Sequence, residues 1–513
     1  MSENKKKVMS PETVLASIDS WSKSTGSIPL TVMCHGVFDV VHPGHLEHFM
    51  QAKALGNILI LSVTGDIFVN KGPGRPVFTQ EVRANFLASI EVVDFVVISN
   101  SSSAVEMIET IKPHYYVKGD EYQDTKSDLT GKIVLEKRAV ESYGGKLVFT
   151  GGFKSSSSKL INLSNLSLSA TAYSKLRDLK ERIKAEYVNE WLDTLFEVKP
   201  YVLGEFIVDE YSQCSALSKS SKDPLLAFEI HGTESFIGGA AAIAHNIGSW
   251  NLSCNLGLVM NQADSHILSL LESELPISVH LDNFFEEDFR TIRKHRFVDR
   301  PSRVRLFEYY DYNPRPISEV TSSEITKRLS RRLASTGPVI VADYGHGFFT
   351  SYLIDWLIKS KFFLAVNTQA NAGNRGYNTI SKYSRADFIC LNGGELELEL
   401  RKRNLRYEVI VPEIMKQHNA RNALVTLGGE GMLVFGNNQD FVHIPALATN
   451  VLDRVGAGDA VLSIASLLSF VGAPIEVIGI IASVVAAHEV SQLGHKTSMS
   501  ILDIKRAVNG VLA

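Results

Sequence analysis

Apolar runs that alternate with helical stretches place the strongest constraint on how this chain can fold. In the first third of the sequence, strand-like runs occur at residues 29–33, 58–63, 95–99, 115–118 and 146–150. A second alternating region begins with a strand-like run at residues 201–208 and continues to Ala513. Alternation of this kind is typical of parallel sheets covered by helices, so we predict an α/β protein.

Two such regions in 513 residues predict two domains. We place the first at residues 1–165, a connecting segment at 166–198 and the second domain at 199–513. The connecting segment is predicted to be one amphipathic helix that ends before Pro200 and packs on its own domains rather than on a partner protein. Its apolar residues recur every three or four positions, at Leu176, Leu179, Ile183, Tyr187, Trp191 and Leu195.

Composition excludes several classes of protein. The net charge is -4 and no aromatic-basic platform is visible, which argues against nucleic-acid binding. Four scattered cysteines without CxxC pairs suit a reducing compartment, so we expect a cytoplasmic protein. No apolar segment follows Lys5–Lys7, so a signal peptide is not expected. The apolar stretch at 460–485 contains Pro474 and Glu476, which favours two buried helices over a membrane span.

The first candidate site follows the first predicted strand. Two histidines three residues apart stand at a predicted helix start, where free N–H groups and the helix dipole favour phosphate. Nearby glycines allow the backbone to approach a nucleotide closely. Imidazoles there can stabilise charge while an incoming phosphate oxygen displaces pyrophosphate. The residues of this motif are Gly36, Phe38, Asp39, His42, Gly44 and His45.

The second candidate site lies near the end of the chain. Gly456, Ala457 and Gly458 would present successive backbone N–H groups at a helix start, forming an anion hole for phosphoryl oxygens. Asp459 follows at once and is placed to accept a proton from an attacking hydroxyl group. The pattern predicts phosphoryl transfer with Asp459 as the general base.

The first motif resembles the cytidylyltransferase-like nucleotidyltransferases with the HxGH signature. The resemblance covers roughly residues 31–162 and implies a Rossmann-like domain. It also implies phosphate-binding roles for basic residues and for a serine-rich motif, namely Lys71, Arg83, Lys118, Ser156, Ser157 and Ser158. The alternatives are a flexible linker for the serines and solvated surface charges for Lys71 and Arg83.

The second region resembles the ribokinase (PfkB-type) sugar kinases over about residues 199–513. The resemblance implies a ribokinase-like α/β domain. It assigns sugar binding to Glu205, Asp209, Gly238 and Gly239, a Mg²⁺-linked role to Asn392 and Glu395, and nucleotide binding to Thr426, Gly428 and Gly431. Glu205, Ala242 and Arg454 depart from the usual pattern of the family. The first two leave the sugar in doubt, whereas the base and the anion hole are intact.

The pair of domains resembles the bifunctional heptose-phosphate kinase and adenylyltransferase family, with the domain order reversed. Residues 291–296 and 342–347 carry this resemblance, although His346 stands where that family has lysine. Lys294 and Arg296 are therefore predicted to bind the sugar substrate or its phosphate, and a solvated strand pair is the alternative.

These observations predict a bifunctional enzyme that phosphorylates a sugar or sugar phosphate and then makes an NDP-sugar, with an ADP-heptose-like product favoured. The expected cofactors are Mg²⁺, ATP for the kinase, and ATP or CTP for the transferase. One alternative is a CTP-dependent enzyme making a CDP-sugar or CDP-polyol. Another is a kinase-like domain of separate specificity or of purely regulatory role. The expected partners are the small-molecule substrates, without nucleic acid or membrane, and a homodimer is left open.

Overall fold

Two compact units make up the chain. The first comprises residues 1–167 with 509–513, and the second comprises 168–508. Each unit has its own parallel sheet. The computed structural model describes residues 7–69, 76–101, 103–119, 132–151, 170–219, 225–287, 289–302, 304–313, 315–332, 337–437, 440–448, 451–492 and 498–512.

Five parallel strands form the sheet of the first unit, in the order β3-β2-β1-β4-β5. Every residue of β2 is buried, as expected for a strand with helices on both faces. The strands are β1 (Thr31–Gly36), β2 (Ile58–Thr64), β3 (Phe95–Ser99), β4 (Tyr115–Gly119) and β5 (Lys146–Thr150). The helices are α1 (Pro11–Thr25), α2 (Pro43–Lys53), α3 (Gln80–Ala88), α4 (Val105–Ile111) and α5 (Lys132–Glu141).

The first strand differs from the prediction of residues 29–33, which is wrong at both ends. β1 begins at Thr31 and continues to Gly36, because those residues pair with β2 along their whole length. The backbone N–H of Leu30 instead donates to the side chain of Asn57 at 2.8 Å, and Pro29 has no N–H to donate.

The strand order creates a crevice at the carboxyl ends of β1 and β4. From β1 the chain proceeds to β2 and β3 on one side, and then returns to β4 and β5 on the other. Loops diverge at such a reversal, which is where open α/β sheets bind ligands. The loop after β1 leads into α2, which starts at Pro43, a residue whose fixed φ suits the first position of a helix.

A nine-stranded sheet forms the body of the second unit, in the order β10-β9-β6-β13-β14-β15-β16-β17-β18. Neighbouring strands pair in parallel, except that β17 is antiparallel to both of its neighbours, β16 and β18. They are β6 (Tyr201–Gly204), β9 (Cys254–Met260), β10 (Val279–Phe285), β13 (Val339–Asp343), β14 (Leu364–Thr368), β15 (Phe388–Asn392), β16 (Asn422–Thr426), β17 (Met432–Phe435) and β18 (Phe441–Ile444).

A second, smaller sheet belongs to the same unit and has the order β12-β11-β7-β8. Its strands are β7 (Phe206–Lys219), β8 (Leu226–Gly239), β11 (Ile292–Asp299) and β12 (Arg305–Asp311). The single strand predicted at 201–208 is therefore wrong, because the chain leaves the large sheet at Glu205 and enters this small sheet. Burial alternates strictly along β11, so one of its faces is covered by protein.

Helices cover the large sheet. They are α6 (Ala170–Arg182), α7 (Ala185–Thr194), α8 (Ala240–Ser249), α9 (Ser265–Glu274), α10 (Glu319–Arg332), α11 (Ser351–Lys359), α12 (Gly393–Leu400), α13 (Tyr407–His418), α14 (Ala457–Phe470), α15 (Ile475–Glu489) and α16 (Ile501–Leu512). α14 and α15 are almost entirely buried, which confirms the two helices predicted around Pro474. In the part of the chain that the structure describes, no helix combines the length and the apolar character needed to cross a bilayer.

The connecting segment contains two helices instead of the one predicted. Lys184 has an extended backbone, with ψ at 149°, which ends α6 and starts α7. Four residues of the predicted apolar stripe are buried, namely Leu176, Leu179, Ile183 and Leu195. Tyr187 is 44% exposed and Trp191 is half-buried, because the break at Lys184 changes which residues of α7 face the protein, and Leu192 is buried instead.

Candidate active sites

The loop between β1 and α2 has a defined shape. Phe38 adopts a left-handed backbone conformation with φ at 50°, and a side chain at Gly36 would meet its ring at 3.0 Å. The carboxylate of Asp39 accepts backbone N–H groups of Val77 at 2.7 Å and Phe78 at 3.1 Å. Asp39 therefore ties this loop to the segment that precedes α3, and its predicted contact with nucleotide stays a prediction.

His42 and His45 lie together at the start of α2. His42 is the residue before the helix, and the two imidazole centroids are 3.9 Å apart. The backbone N–H of His42 donates to Nδ1 of His45 at 3.4 Å, so the neutral ring of His45 carries its proton on Nε2. Gly44 contributes no side chain to this first turn. The pair thus combines imidazole donors with the free N–H groups of a helix start, an arrangement suited to phosphate.

Arg83 has a different position from the one that a phosphate-binding role suggests. Its side chain is 2% exposed. The guanidinium donates to the carbonyls of Val37 at 2.5 Å and Thr64 at 2.9 Å, and it pairs with Asp66 at 2.5 Å. These bonds brace the loop that carries Phe38 and Asp39, so Arg83 is not a solvated surface charge, and its predicted contact with phosphate stays a prediction.

Lys118 stands at the end of β4, on the other side of the crevice. Its ammonium is 3.2 Å from the buried carboxylate of Glu136. His48, two turns into α2, bonds through Nδ1 to the hydroxyl of Thr150 at 2.6 Å. Burial, and then the charge of Lys118, lowers the pKa of His48 to about 4, so this third histidine is neutral. The histidine spacing of three residues extends to His48, so the sequence itself could have indicated this third histidine.

Four predicted phosphate-binding residues lie outside the described residues. They are Lys71, Ser156, Ser157 and Ser158. Their roles stay predictions.

The turn before α14 has the geometry predicted for an anion site. Gly456 precedes the helix with φ at 84°, and Ala457 and Gly458 form its first turn. A side chain at Gly458 would meet no atom within 4 Å, so there is open space beside it. Asp459 is 8% exposed, and its Oδ1 accepts the hydroxyl hydrogen of Tyr344 at 2.7 Å. A glycine-rich helix start and an oriented carboxylate thus stand side by side, and the predicted anion site stays a prediction.

The small sheet contacts this turn through Asp453. The carboxylate of Asp453 accepts the hydroxyl of Tyr211 in β7 at 3.1 Å and pairs with Arg305 in β12. It also accepts the backbone N–H of Val455 at 2.9 Å. Asp453 therefore links the small sheet to the glycine turn.

Glu205 lies between β6 and β7 and positions a loop. Its buried carboxylate accepts the backbone N–H groups of Tyr344 at 2.9 Å, His346 at 3.0 Å and Phe348 at 3.3 Å. Burial, and then the charge of Asp343, raises the pKa of Glu205 to about 7. These three bonds give Glu205 a structural role that the sequence did not predict, and its predicted contact with sugar stays a prediction.

Asp209, Arg296 and Lys294 meet on the covered face of the small sheet. Arg296 pairs with Asp209, and its Nε is 3.3 Å from Glu308. A side chain at Gly238 would meet Oδ2 of Asp209 at 2.5 Å, so it would displace the carboxylate that pairs with Arg296. Gly239 has φ at 62° and ψ at -137°, a conformation that only glycine adopts without strain. The structure thus brings together the polar residues predicted for the sugar site.

Asn392 and Glu395 cap α12. Oδ1 of Asn392 accepts the N–H of Glu395 at 2.9 Å, and Oε2 of Glu395 accepts the N–H of Asn392 at 2.8 Å. This reciprocal pair is a capping box, which the Asn-x-x-Glu spacing alone could have indicated. Burial raises the pKa of Glu395 to about 7, and the charge of Asp459 contributes to the increase.

The turn after β16 contains the remaining predicted nucleotide residues. Thr426 ends β16, and Gly428 follows with φ at 59°; a side chain there would meet no atom within 4 Å. Gly431 has φ at 92°, and a side chain there would meet the carbonyl of Ile444 at 2.1 Å. Gly428 therefore faces open space, whereas Gly431 is required by the packing of β17 and β18.

Asparagines that the sequence analysis did not single out hold the loop after β13. Asn371 and Asn374 donate to the carbonyl of Tyr344 at 2.8 and 2.5 Å, and Asn378 donates to that of Asp343 at 2.8 Å. Three asparagines within residues 371–378 could have indicated from the sequence that this segment holds a loop through side-chain hydrogen bonds. Within the described ranges, no group of three or more potential ligands has the geometry of a metal site.

Comparisons with known proteins identify relatives of both parts of the chain. The cytidylyltransferase-like family model matches residues 33–163, and the pfkB family carbohydrate kinase model matches residues 367–502. The bifunctional protein HldE of Syntrophotalea carbinolica is 36% identical over 118 residues, which are 23% of each chain. HldE of Histophilus somni is 27% identical over 317 residues, which are 61% of this chain and 64% of the relative. The matches thus cover 23% and 64% of the length of these two relatives.

Solved structures identify the fold of the second unit. Phosphofructokinase-2 from Escherichia coli, in complex with potassium, aligns with a TM-score of 0.50 at 16% identity. The alignment covers 61% of this chain and 99% of that one. At this identity the likeness shows the fold alone. The chain thus joins an N-terminal region that matches the cytidylyltransferase-like family to a C-terminal region that matches the pfkB carbohydrate kinase family.

Proposed function

We propose that this chain is a bifunctional enzyme that phosphorylates a sugar or sugar phosphate and then transfers a nucleotidyl group to the resulting sugar 1-phosphate. The kinase activity in this proposal is supported by the position of Asp459. Its carboxylate lies beside the open space at Gly458 and accepts a hydrogen bond from the hydroxyl of Tyr344. The observation that carries the transferase half is the His42–His45 pair at the start of α2. The domain limits 1–165, 166–198 and 199–513 belong to the same proposal.

In the kinase step, Asp459 accepts the proton of the anomeric hydroxyl while its oxygen attacks the terminal phosphorus of ATP. The new O–P bond forms as the bond to the bridging oxygen breaks, and ADP leaves. The backbone N–H groups of residues 456–458 stabilise the phosphoryl oxygens. Arg296, Asp209 and the loop held by Glu205 supply polar groups for the sugar.

Mg²⁺ belongs to this step because both proposed reactions use a nucleoside triphosphate. Burial, together with the negative charge of Asp459, raises the pKa of Glu395. A cation bound near the two carboxylates would relieve their repulsion, so these residues are suited to a site for Mg²⁺. When bound, the ion neutralises phosphate charge. Both oxygens of Glu395 already accept backbone N–H groups, so we expect Asn392 and Glu395 to hold it through water.

In the transferase step, a phosphate oxygen of the sugar 1-phosphate attacks the α-phosphorus of the nucleotide, and pyrophosphate leaves. His42 and His45 donate hydrogen bonds to the phosphates and stabilise the charge that develops. Lys118, at the opposite side of the crevice, adds a positive charge. This reaction requires the product of the kinase, so the two reactions follow one order.

An ADP-heptose-like product is the favoured version of this proposal. The CTP-dependent alternative, giving a CDP-sugar or CDP-polyol, has support in the cytidylyltransferase-like match at residues 33–163. The deciding experiment supplies each nucleoside triphosphate with a panel of sugar 1-phosphates and measures pyrophosphate release. Release with CTP alone would favour the alternative, and no release with any pair would contradict the transferase.

Coupling of the two halves has its own experiment. The full-length Asp459→Asn protein should form NDP-sugar only when the 1-phosphate is supplied, whereas the His42→Ala protein should accumulate the 1-phosphate. Mixing the two variants should restore product formation through the free intermediate. If the kinase product is not a substrate of the transferase, the two halves act on separate substrates. If the second unit consumes no ATP with any sugar, the regulatory alternative is correct.

A further inference from the structure

His346 is a buried histidine in the loop between β13 and α11. The residue is 3% exposed, and its backbone N–H donates to the carboxylate of Glu205 at 3.0 Å. Its imidazole packs edge to face against the ring of Tyr312, with the two centroids 4.8 Å apart. Tyr344, two residues earlier in the loop, donates its hydroxyl hydrogen to Asp459. The loop of the proposed base's partner therefore also carries a histidine that the kinase step described above does not use.

Asn371 determines which nitrogen of this imidazole carries the hydrogen. Oδ1 of Asn371 accepts the backbone N–H groups of Gly373 at 2.9 Å and Asn374 at 3.2 Å, so Nδ2 is its donor end. Nδ2 donates to the carbonyl of Tyr344 at 2.8 Å and lies 3.3 Å from Nε2 of His346. Because Nε2 accepts, the neutral ring carries its hydrogen on Nδ1. No described residue accepts that hydrogen, so Nδ1 can donate to a ligand.

The imidazole of His346 is uncharged near neutral pH. Burial, followed by the charge of Lys294, lowers the pKa of His346 to about 4. An uncharged donor suits a hydroxyl oxygen, whereas phosphate oxygens bind most strongly to cations.

The cations near Asp459 are already balanced by carboxylates. Arg296 pairs with Asp209, and its Nε is 3.3 Å from Glu308. Burial lowers the pKa of Lys294, and the charges of Asp209, Asp459 and Glu308 oppose that decrease. Two cations thus stand among three carboxylates, so this group of five side chains offers no surplus positive charge to a phosphate on the sugar.

A cavity of about 500 Å³ opens beside Tyr312, the aromatic neighbour of His346. It lies where β9 and β10 end, the edge at which open α/β sheets bind ligands. Arg290, the one cation among its described lining residues, pairs with Asp311 at 2.7 Å. The cavity therefore offers polar groups with an excess of negative charge. Its lining includes Asn261, Asp264, Glu287, Phe289, Arg290 and Tyr312.

We propose that the kinase acts on an unphosphorylated sugar, an assignment that rests on the proposed kinase function. A hydroxyl oxygen remote from the reacting carbon accepts the Nδ1 hydrogen of His346, and that end of the sugar occupies the cavity. A phosphate at the same end would meet Asp264 and Glu287, with a paired guanidinium and a neutral imidazole beside it. The single phosphate of the kinase product is then the one received from ATP.

Sugar pairs that differ only in a terminal phosphate test the wild-type protein. ATP consumption is measured with glucose and glucose 6-phosphate, mannose and mannose 6-phosphate, and heptose and heptose 7-phosphate. For the pair that the kinase accepts best, kcat/KM should be about tenfold or more higher for the unphosphorylated member. A smaller difference, or a preference for the phosphorylated member, overturns the assignment and leaves the kinase function intact.

Full-length variants test the part that His346 plays in this selection. His346→Phe keeps a ring beside Tyr312 and removes the donor, so KM for the unphosphorylated sugar should increase about threefold to tenfold while KM for ATP stays unchanged. His346→Lys adds a charge and should raise the relative kcat/KM for the phosphorylated member about tenfold. His280→Lys, at an exposed position of β10, adds the same charge elsewhere and is the matched control. Wild-type kinetics in His346→Phe, or an equal shift in both lysine variants, would remove His346 from substrate selection.

Calorimetric titration of the wild-type protein separates this assignment from the kinase function. The same sugar pairs are titrated in the presence of Mg·AMP-PNP. Tighter binding of the unphosphorylated member supports the site even if no sugar is turned over, and in that case the kinase function alone fails. Tighter binding of the phosphorylated member, or binding of neither, overturns the assignment.

Discussion

The hydroxyl of Tyr344 donates to Oδ1 of Asp459 at 2.7 Å, across 115 positions of sequence. Tyr344 follows β13, and Asp459 lies in the first turn of α14. Burial, and then the charge of Asp459, raises the pKa of Tyr344 well above its usual value, so the phenol keeps its proton and remains a donor. The contact holds the carboxylate of the proposed base in one orientation.

Replacing Tyr344 with phenylalanine removes this contact and keeps the ring. We expect kcat of the kinase to decrease about tenfold, because loss of a hydrogen bond to a charged group costs about 1.5–3 kcal/mol and part of that is recovered by water. Pyrophosphate release by the first unit should not change. Tyr352→Phe, at a half-exposed position on α11, is the matched control. Equal kcat in both variants would show that the contact has no part in the reaction.

Alanine at His42 or at His45 should lower the rate of pyrophosphate release by about 10² or more, the effect seen when preorganised donors are lost from a site of developing charge. ATP consumption by the second unit should remain normal. The measurement is pyrophosphate release with a supplied sugar 1-phosphate. A double variant that retains a near-normal rate would remove both histidines from the mechanism.

The buried carboxyl of Glu205 should make stability depend on pH. Its pKa is raised to about 7 in the folded protein, so between the ordinary value near 4.5 and 7 the folded state binds more protons than the unfolded state. This group therefore makes folding less favourable as pH rises through that range. Between pH 4.5 and pH 7, we expect the urea midpoint of the wild-type protein to decrease relative to that of Glu205→Gln. Glu324→Gln, on the surface of α10, should show a constant difference, and a constant difference for Glu205→Gln would contradict the shift.

Alanine at Gly431 should destabilise the second unit by about 2–3 kcal/mol, because φ there is 92° and the new methyl group would meet the carbonyl of Ile444 at 2.1 Å. Gly429, two residues earlier, has no atom within 4 Å of that position and no positive φ. Gly429→Ala should therefore change stability by about 0.5 kcal/mol or less. Urea unfolding followed by tryptophan fluorescence compares the two, and equal losses would show that the strain is relieved elsewhere.

Local sequence determined the elements that a few adjacent residues can specify. The α/β class, the two domain types and the glycine turn before α14 were all predicted, since strand periodicity, helix starts and positive-φ glycines depend on neighbours in the chain. The Asn392–Glu395 capping box is equally local and could have been predicted. The ends of β1 could not, because they depend on pairing with β2, whose residues are distant in the sequence.

Tertiary structure decided what the polar side chains do. Arg83 and Glu205 both bind backbone groups of segments that only folding brings near, and Arg83 also pairs with Asp66. Their predicted contacts with phosphate and with sugar stay predictions. Likewise, Lys294 in β11 and Asp459 in α14 both contact Tyr344, which lies in the loop after β13. Which groups a charged side chain binds depends on their distance in the folded protein. Composition and motif spacing do not give that distance. The sequence therefore predicted which types of residue the candidate sites contain, whereas the tertiary structure determined which groups surround each of them and how their pKa values are shifted.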